Sequence, residues 1–332
     1  MKKRGRGVAC TYFGMGNTAK PNPSSAFIEV SEDGTAIVFC GVADVGQGSD
    51  TALAQIAAEA LGVSLGRVTF VSKDTMVTPD AGISSASRQT YVSGNAIRFA
   101  AEQAKEILMK EAAQYMEESR GNLEARDDRI FVKGNPEKYL TIEEVCNRLR
   151  RRGVLVTGTG DYSPPTPEDL DPETGLGTPY GTYSYATQIA EVEVDTETGE
   201  ITVLNLFAAH DVGKAINPMA IEGQIEGGVG QGVGYALMEE VVVENGVIQN
   251  PSFSQLLIPT SLDIPPITSM IVEEPEPTGP FGAKGTGEPP ACPTAAAIIN
   301  AIYDAVGVHI KSTPVTAEKV YMALKQKQME GE

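Results

Sequence analysis

The segment from Gly279 to Pro290, Gly-Pro-Phe-Gly-Ala-Lys-Gly-Thr-Gly-Glu-Pro-Pro, packs four glycines and three prolines into twelve residues. Proline removes amide donors and glycine removes side chains, so this backbone relaxes into neither helix nor strand. It reads instead as a chain held close against something. It presents one acidic side chain, Glu288, near its end, and then runs into an apolar pattern over residues 294–306 with the period of a helix. Standing alone, the same residues are ordinary turn chemistry with a solvated glutamate. The rest of the chain decides between the two readings.

With 332 residues, 41% of them hydrophobic, the chain is long enough for one large or two ordinary domains, folded throughout. Its 44 acidic residues outnumber 26 basic ones, a net charge of −18, which argues against nucleic acid or an anionic membrane as the main partner. The basic opening, Met1 to Gly7, resembles the first part of a signal peptide, but no apolar run of the required length follows it. No stretch of about 18 apolar residues occurs, so no membrane span is expected. Cys10, Cys40, Cys146 and Cys292 form no CxxC pair and have no zinc-ligand spacing, which points to reduced thiols in a cytoplasmic protein. Two histidines, His210 and His309, cannot build a histidine-rich metal site, and His210 is expected to satisfy a strand end.

Along the chain, Ala26–Val30 and Ala36–Phe39 alternate as paired strands around Asp33-Gly34. Asp44-Val45-Gly46-Gln47-Gly48 then opens a helix ending near Gly62, and exposed amides at such a start favour an anion or a polar ring. The glycines do not fit a P-loop or a dinucleotide fingerprint. After a strand at Val68–Val71, the small and hydroxyl residues from Ala81 to Thr90 suit a loop whose backbone approaches a ligand, or a helix cap. A long helix is expected from Gly94 to Glu118, with Ile97, Ala101, Ala104, Leu108 and Tyr115 on one face. Residues 120–160 read as a small appended unit: a capping box at Thr141 opens an arginine-rich helix, and Val154–Val156 is a short strand. Arg148, Arg150, Arg151 and Arg152 suit a solvated face or a subunit contact. Residues 163–180, with five prolines, read as a connection that shapes a substrate funnel.

The second half restarts with strands at 185–194 and 201–208, and Asn217-Pro218 then caps a helix. That helix carries Gly223-Gln224-Ile225-Glu226-Gly227-Gly228-Val229-Gly230-Gln231-Gly232. Each helical glycine costs about 1 kcal/mol relative to alanine, so another backbone or a ligand must pack closely there. Val229–Gly232 also echoes Val45–Gly48, too briefly to mark a duplication. A tight hairpin is expected around Asn245-Gly246 and a last strand over 267–274.

Together these segments resemble the molybdopterin-binding region of the molybdenum hydroxylases, the xanthine dehydrogenase and aldehyde oxidase family. The matching pieces are Asp44–Gly48, Ala86-Ser87-Arg88-Gln89-Thr90 leading to Gly94-Asn95-Ala96, Asn217-Pro218 with Gly223–Gly227 and Gln231-Gly232, and Gly282–Pro290. Each is weak alone, and their order and spacing carry the likeness over nearly the whole chain. The resemblance implies an α+β fold of two αβ subdomains. The first covers residues 1–160 with the appended unit at about 120–160. The second, 161–332, carries the glycine-rich helix and the Glu288 loop.

The family's first catalytic half, with its phenylalanine- and glycine-rich cofactor loop, has no counterpart here. The chain therefore looks like the second molybdopterin domain as a separate subunit, similar to the medium subunit of nicotinate dehydrogenase. That likeness implies a large molybdopterin subunit, a small subunit with two [2Fe–2S] clusters and an FAD subunit as partners, and it implies molybdopterin with molybdenum, in the cytosine dinucleotide form, as cofactor. The implied reaction hydroxylates an electron-poor carbon of an N-heteroaromatic such as nicotinate with water-derived oxygen, electrons leaving through the clusters to FAD. A purine, xanthine or aldehyde hydroxylase is the alternative, and a non-catalytic interaction subunit is the alternative of another class.

Glu288 stands where the resemblance implies the base, and a carboxylate in a partly dry pocket suits that task. Gly46, Gln47, Gly48, Ala86, Ser87, Gln89, Gln224, Gln231, Lys284 and Gly285 look like cofactor contacts, since amides match the edges of a pterin and glycines let the backbone approach. The glutamines serve equally well as interdomain hydrogen-bonding groups. Arg88 suits an anionic substrate, the cofactor phosphate, or a salt bridge that holds its loop. No residue is expected to bind molybdenum directly, because the dithiolene does so.

Overall fold

The basic opening is a thirteen-residue strand, β1 (Lys2–Gly14), which joins a sheet made from the far half of the chain. The computed structural model describes residues 1–165 and 170–331; residues 166–169 of the proline-rich connection, Pro167 included, lie outside the described residues.

Strands β2 (Ser24–Val30) and β3 (Ala36–Phe39) form the expected antiparallel hairpin. Helix α1 (Ser49–Leu61) follows, and β4 (Val68–Val71) returns parallel to β3. A parallel pair needs a crossover, and α1 provides it. Helix α2 (Gly94–Met116) begins behind one π-helical turn at Gln89–Ser93. Strands β5 (Leu123–Arg126), β6 (Arg129–Val132) and β7 (Asn135–Thr141) make a separate small sheet ahead of α3 (Ile142–Arg151). Both halves of the capping box form: Glu144 N donates to Thr141 Oγ1 at 3.1 Å, and Thr141 N donates to Glu144 Oε2 at 2.8 Å. Strand β8 (Val156–Tyr162) then pairs with β2, giving the order β4-β3-β2-β8. This strand starts where the sequence suggested it would stop, so the appended unit ends before it. Tyr115 also departs from expectation: it is exposed, with the Arg148 guanidinium over its ring. Arg152 pairs with Glu111, so the arginine run in part fastens α3 to α2.

In the second half, β9 (Tyr183–Asp195) and β10 (Ile201–Asp211) are antiparallel, and β1 runs along the whole of β9. Helix α4 (Pro218–Leu237) crosses over; β11 (Val243–Glu244) and β12 (Val247–Ile248) form the expected hairpin, and α5 (Phe253–Leu256) is a single turn. Strand β13 (Ile267–Val272) then pairs parallel with β10, completing the order β1-β9-β10-β13. Helices α6 (Thr294–Val306) and α7 (Ala317–Glu330) close the chain. Asn217 caps α4 by accepting from Ala220 N at 3.1 Å, with Pro218 at its first position. The Val45–Gly48 echo has no structural meaning: the first copy is a loop and the second lies inside α4.

One packing device recurs in both sheets. On β8, Gly158 and Gly160 lie under Ala96 and Ala100 of α2; a methyl on either glycine would come within 2.0 Å of a helix carbonyl. On β1, Gly5 and Gly7 lie under Ala297 and Ala301 of α6, with 2.3 and 2.1 Å to the same kind of atom. Backbone therefore meets backbone on each sheet, and two hydrophobic cores form behind these contacts, one within residues 26–156 and one within 190–324. Helix α4 uses its glycines likewise: Gly228 receives Pro290 and Gly232 receives Thr294, whereas Gly223 and Gly227 face open space.

Gln188, fully buried on β9, links three elements of the second core. Its Nε2 donates to Pro290 O at 2.7 Å and lies 3.2 Å from His210 Nε2, and its Oε1 accepts from Thr294 Oγ1 at 2.6 Å. With the amide as donor, His210 Nε2 accepts, so the imidazole is neutral. Burial pushes the His210 pKa down to about 4.

Two outcomes follow for stability. Gly7→Ala should destabilise the fold by about 1–3 kcal/mol or more, because the α6 backbone cannot yield cheaply; Gly66→Ala, whose methyl meets open space, is the control in denaturant titration. His210 in the unfolded chain takes a proton near its ordinary pKa of about 6.5, and the folded chain takes it only near 4. Stability from this group is thus complete above pH 6.5 and is lost as pH falls towards 4, by up to about 3 kcal/mol. Thermal melts of His210→Gln should lack that loss.

Candidate functional site

Three loops converge at the ends of β3 and β10. The first, Asp44–Gly48, is folded by its own aspartate: Asp44 Oδ1 accepts from Gly46 N at 2.8 Å and Gly48 N at 3.4 Å, and Oδ2 accepts from Asp50 N at 3.1 Å. Burial works against this carboxylate, yet those amides, with Lys73 nearby, hold its pKa below the usual range. The amides expected to be open to an anion are therefore engaged by Asp44. Gln47 is also committed: its Nε2 lies 2.8 Å from Gln89 Oε1 and 2.9 Å from Ala43 O, and its Oε1 accepts from Val45 N. Gln89 returns from the second loop to Ala43 O at 3.2 Å. The two glutamines thus bind one loop to the other within the first half of the chain, a contact that is not between subdomains.

In the second loop Ala86 and Ser87 take consecutive left-handed conformations, φ 53° and 51°. Such backbone costs of order 1–3 kcal/mol per non-glycine residue, so the surroundings must enforce it. Arg88 does much of this. Buried, it donates from Nη1 to Ala81 O (2.6 Å) and Ile83 O (3.0 Å), and from Nη2 to Asn22 O (3.1 Å) and Pro23 O (2.7 Å). The guanidinium holds its loop as one of the sequence readings expected, through four carbonyls rather than a salt bridge.

The third loop is the Gly279–Pro290 stretch. Lys284 is buried and pairs with Asp211 Oδ2 at 2.6 Å, which anchors the loop to the end of β10. Gly285 then passes so close to the second loop that a methyl there would meet Ser87 O at 1.8 Å. Three residues on, Glu288 N donates to Ser87 Oγ at 3.0 Å, and the Ser87 hydroxyl donates to Glu288 Oε2. Glu288 is exposed, so the partly dry pocket expected around it is not made by this chain's residues.

Between the loops and the start of α4 lies a cavity of about 330 Å³, within the range of small-ligand sites. Its lining brings together Gln47, Gly48, Ser87, Arg88, Gln89, Gln224, Lys284, Gly285 and Glu288. Gly46 is set back in the first loop. Gln231, two turns beyond Gln224 on α4, is exposed and bonds Tyr235 instead. Ala86 opens on the other side of its loop, into a second cavity of about 1000 Å³ lined by Tyr12, Tyr180, Tyr183, Lys20 and, from the proline-rich connection, Leu170, Gly175, Gly177 and Pro179. Among the described residues no group of three or more His, Cys, Asp or Glu is placed to hold a metal ion.

Sequence reasoning gave no role to Ser85, a residue of the cavity wall whose hydroxyl is buried and unpartnered. Asp44 and Asp211 were also missed as loop anchors. An aspartate two residues before a glycine, as in Asp44-x-Gly46, was the signal available for the first; nothing local marked the second. An orphaned hydroxyl, the half-buried Gln224 carboxamide and open space over Gly48 fit a polar ring system that brings its own donors and acceptors.

The family model described as the molybdopterin cofactor-binding domain matches residues 1–265. The putative xanthine dehydrogenase molybdenum-binding subunit XdhA of Escherichia coli (strain K12) is 34% identical over 324 residues, 96% of this chain and 42% of that protein. The aldehyde oxidoreductase of Megalodesulfovibrio gigas is 36% identical over 329 residues, 97% of this chain and 32% of that one. Among solved structures, quinoline 2-oxidoreductase from Pseudomonas putida 86 superposes with a TM-score of 0.87 at 29% identity, over 98% of this chain and 42% of that one. The chain spans less than half the length of these relatives. The matched residues and the three-loop cavity agree, and the chain belongs to the molybdopterin cofactor-binding domain family, among the xanthine dehydrogenase and aldehyde oxidase type of molybdenum hydroxylases.

Proposed function

We propose that this chain is the molybdopterin-binding catalytic subunit of a cytoplasmic, multi-subunit molybdenum hydroxylase acting on an electron-poor carbon of an N-heteroaromatic such as nicotinate. The observation that carries the reading is the Glu288 carboxylate, held by Ser87 at the mouth of a cavity built from three separate loops. The cofactor, in its cytosine dinucleotide form, would lie against Gln224, Ser85, Gln47 and the Gly46–Gly48 backbone. When bound it supplies the two-electron redox centre, with [2Fe–2S] and FAD partner subunits as the electron path. A large subunit with the remaining molybdopterin-binding half completes the site.

Within that site this chain's task is proton handling and placement. Ser87 occupies Glu288 Oε2, so proton transfer falls to Oε1. Its hydroxyl also accepts from Glu288 N, which fixes the carboxylate relative to its own backbone. Pro290 O, held by Gln188 Nε2, and Lys284, held by Asp211, clamp the loop on either side. Aromatic rings at the second cavity, Tyr180 and Tyr183 at 5.5 Å and 77° to one another, suit a flat substrate ring approaching past Ala86. The name of the quinoline-oxidising neighbour supports the heteroaromatic class, and those of the xanthine and aldehyde relatives support a purine or aldehyde as the second reading.

In the complex isolated from its own cells, Glu288→Gln should keep molybdenum, read by metal analysis, while turnover of nicotinate, xanthine or an aldehyde falls by about 10²–10⁴. Unchanged turnover on every substrate would leave only the interaction-subunit role. Ser87→Gly suits the left-handed backbone and removes the hydroxyl. It should retain molybdenum and thermal stability and lower kcat by about tenfold, with little change in KM.

A further inference from the structure

Among the described residues the helices pack on one face of each large sheet, and the two opposite faces differ in how far their apolar side chains are exposed. On the first sheet the outward residues mix Ser25, Glu29, Thr157, Thr159 and Asp161 with Phe27, Ile37 and Phe39, which are half-buried rather than exposed. On the second sheet, strand register puts the even residues of β1 beside the odd residues of β9. That face divides in two. At one end Lys2 and Arg4 pair with Glu193 and Arg6 pairs with Glu191, so its charges are already answered in solvent.

At the other end the same strands turn apolar. Val8 lies opposite Ile189 and Tyr12 opposite Tyr185, and β13 adds Met270 and Val272; these six are between 37% and 73% exposed. Phe207 and Ala209 of β10 bridge them. One row between them, Cys10 opposite Thr187, is polar and bonded to itself at 3.3 Å; a sheet face with six exposed apolar side chains around it is not left to water. The patch is also continuous with the functional loops: the Tyr185 ring lies 5.8 Å from Lys284 Nζ, and Tyr12 lines the second cavity.

We infer that this apolar half-face is the docking surface for a separate polypeptide supplying the part of the molybdopterin-binding region that this chain does not span. The inference rests on the proposed function and names the surface through which that partner acts. The relatives of similar sequence devote 58% or more of their length to residues outside the match, ample chain to cover the face. A partner seated there would reach Tyr185 and the Lys284 end of the catalytic loop directly.

The test uses the complex pulled from its own cells through a tag on this chain, with a photo-crosslinking phenylalanine analogue replacing Val8 or Met270, and Thr159 on the first sheet as control. Peptide sequencing of the adduct should identify a chain resembling the unmatched portion of the relatives, with no adduct from position 159. A second pair of variants reads the same contact: Val8→Lys with Ile189→Lys should cut recovery of that chain at least about tenfold, because a lysine would be buried without a partner, whereas Thr159→Lys should not. Adducts to a second copy of this chain or to an iron–sulfur or flavin chain, or none in an intact molybdenum-containing complex, overturn the inference. An adduct to the expected chain in a complex free of molybdenum upholds the surface and overturns the proposed function. Absence of any partner overturns both.

Discussion

The approach of Gly285 to the Ser87 carbonyl governs the site. Any side chain at Gly285 would drive the two loops apart, and with them the hydroxyl that holds Glu288. The contact demands an unusual backbone on both sides: a side chain missing on one loop, and two left-handed non-glycine residues on the other. Strain of that kind persists only when it is over-determined. Here Arg88, spending four hydrogen bonds on carbonyls, and the Lys284–Asp211 pair, buried at the end of β10, supply the constraint. Two cations that look like ligand-binding groups in the sequence thus serve to hold backbone.

The same economy of side chains shapes the scaffold. Glycines on β1 and β8 let alanine-lined helices settle onto their sheets, and Gly228 and Gly232 let α4 settle onto the Pro290–Thr294 turn. Each large sheet also contains one parallel pair, and each crossover helix starts on the cavity side. The cavity therefore sits where two crossovers begin, with Asn217 of α4 reaching Gln55 of α1 at 3.1 Å to join them. The Gly279–Pro290 loop is held from both sides because both halves of the chain contribute to its footing.

Much of this was legible in the chain itself. The period-two strands, the Thr141 box, the Asn217 cap and the Asn245-Gly246 hairpin each follow from local chemistry that tertiary structure left intact. The family followed from motif order, and the fold with it. What escaped was non-local. Strand β1 reads as punctuation because its glycines face a helix almost three hundred residues away in sequence. Gln231 shares a helix stripe with Gln224, yet the cavity ends before reaching it. Arg88, Lys284 and Gln47 were recognised as important, but which partner each would choose depends on carbonyls and carboxylates that no spacing rule connects.

The pairing of β1 also bears on how the protein is made. The first core, within residues 26–156, contains its own sheet and helices, and it can assemble as soon as those residues leave the ribosome. Strand β1 is synthesised before that core, but its partner begins only at Tyr183. Throughout that interval β1 has an unpaired edge and an apolar end. Its three neighbouring basic residues, Lys2, Lys3 and Arg4, with Arg6, keep that waiting segment charged and solvated until the acidic run of β9 arrives. The ion pairs that contribute little to the finished fold thus act as a gatekeeper during its biogenesis.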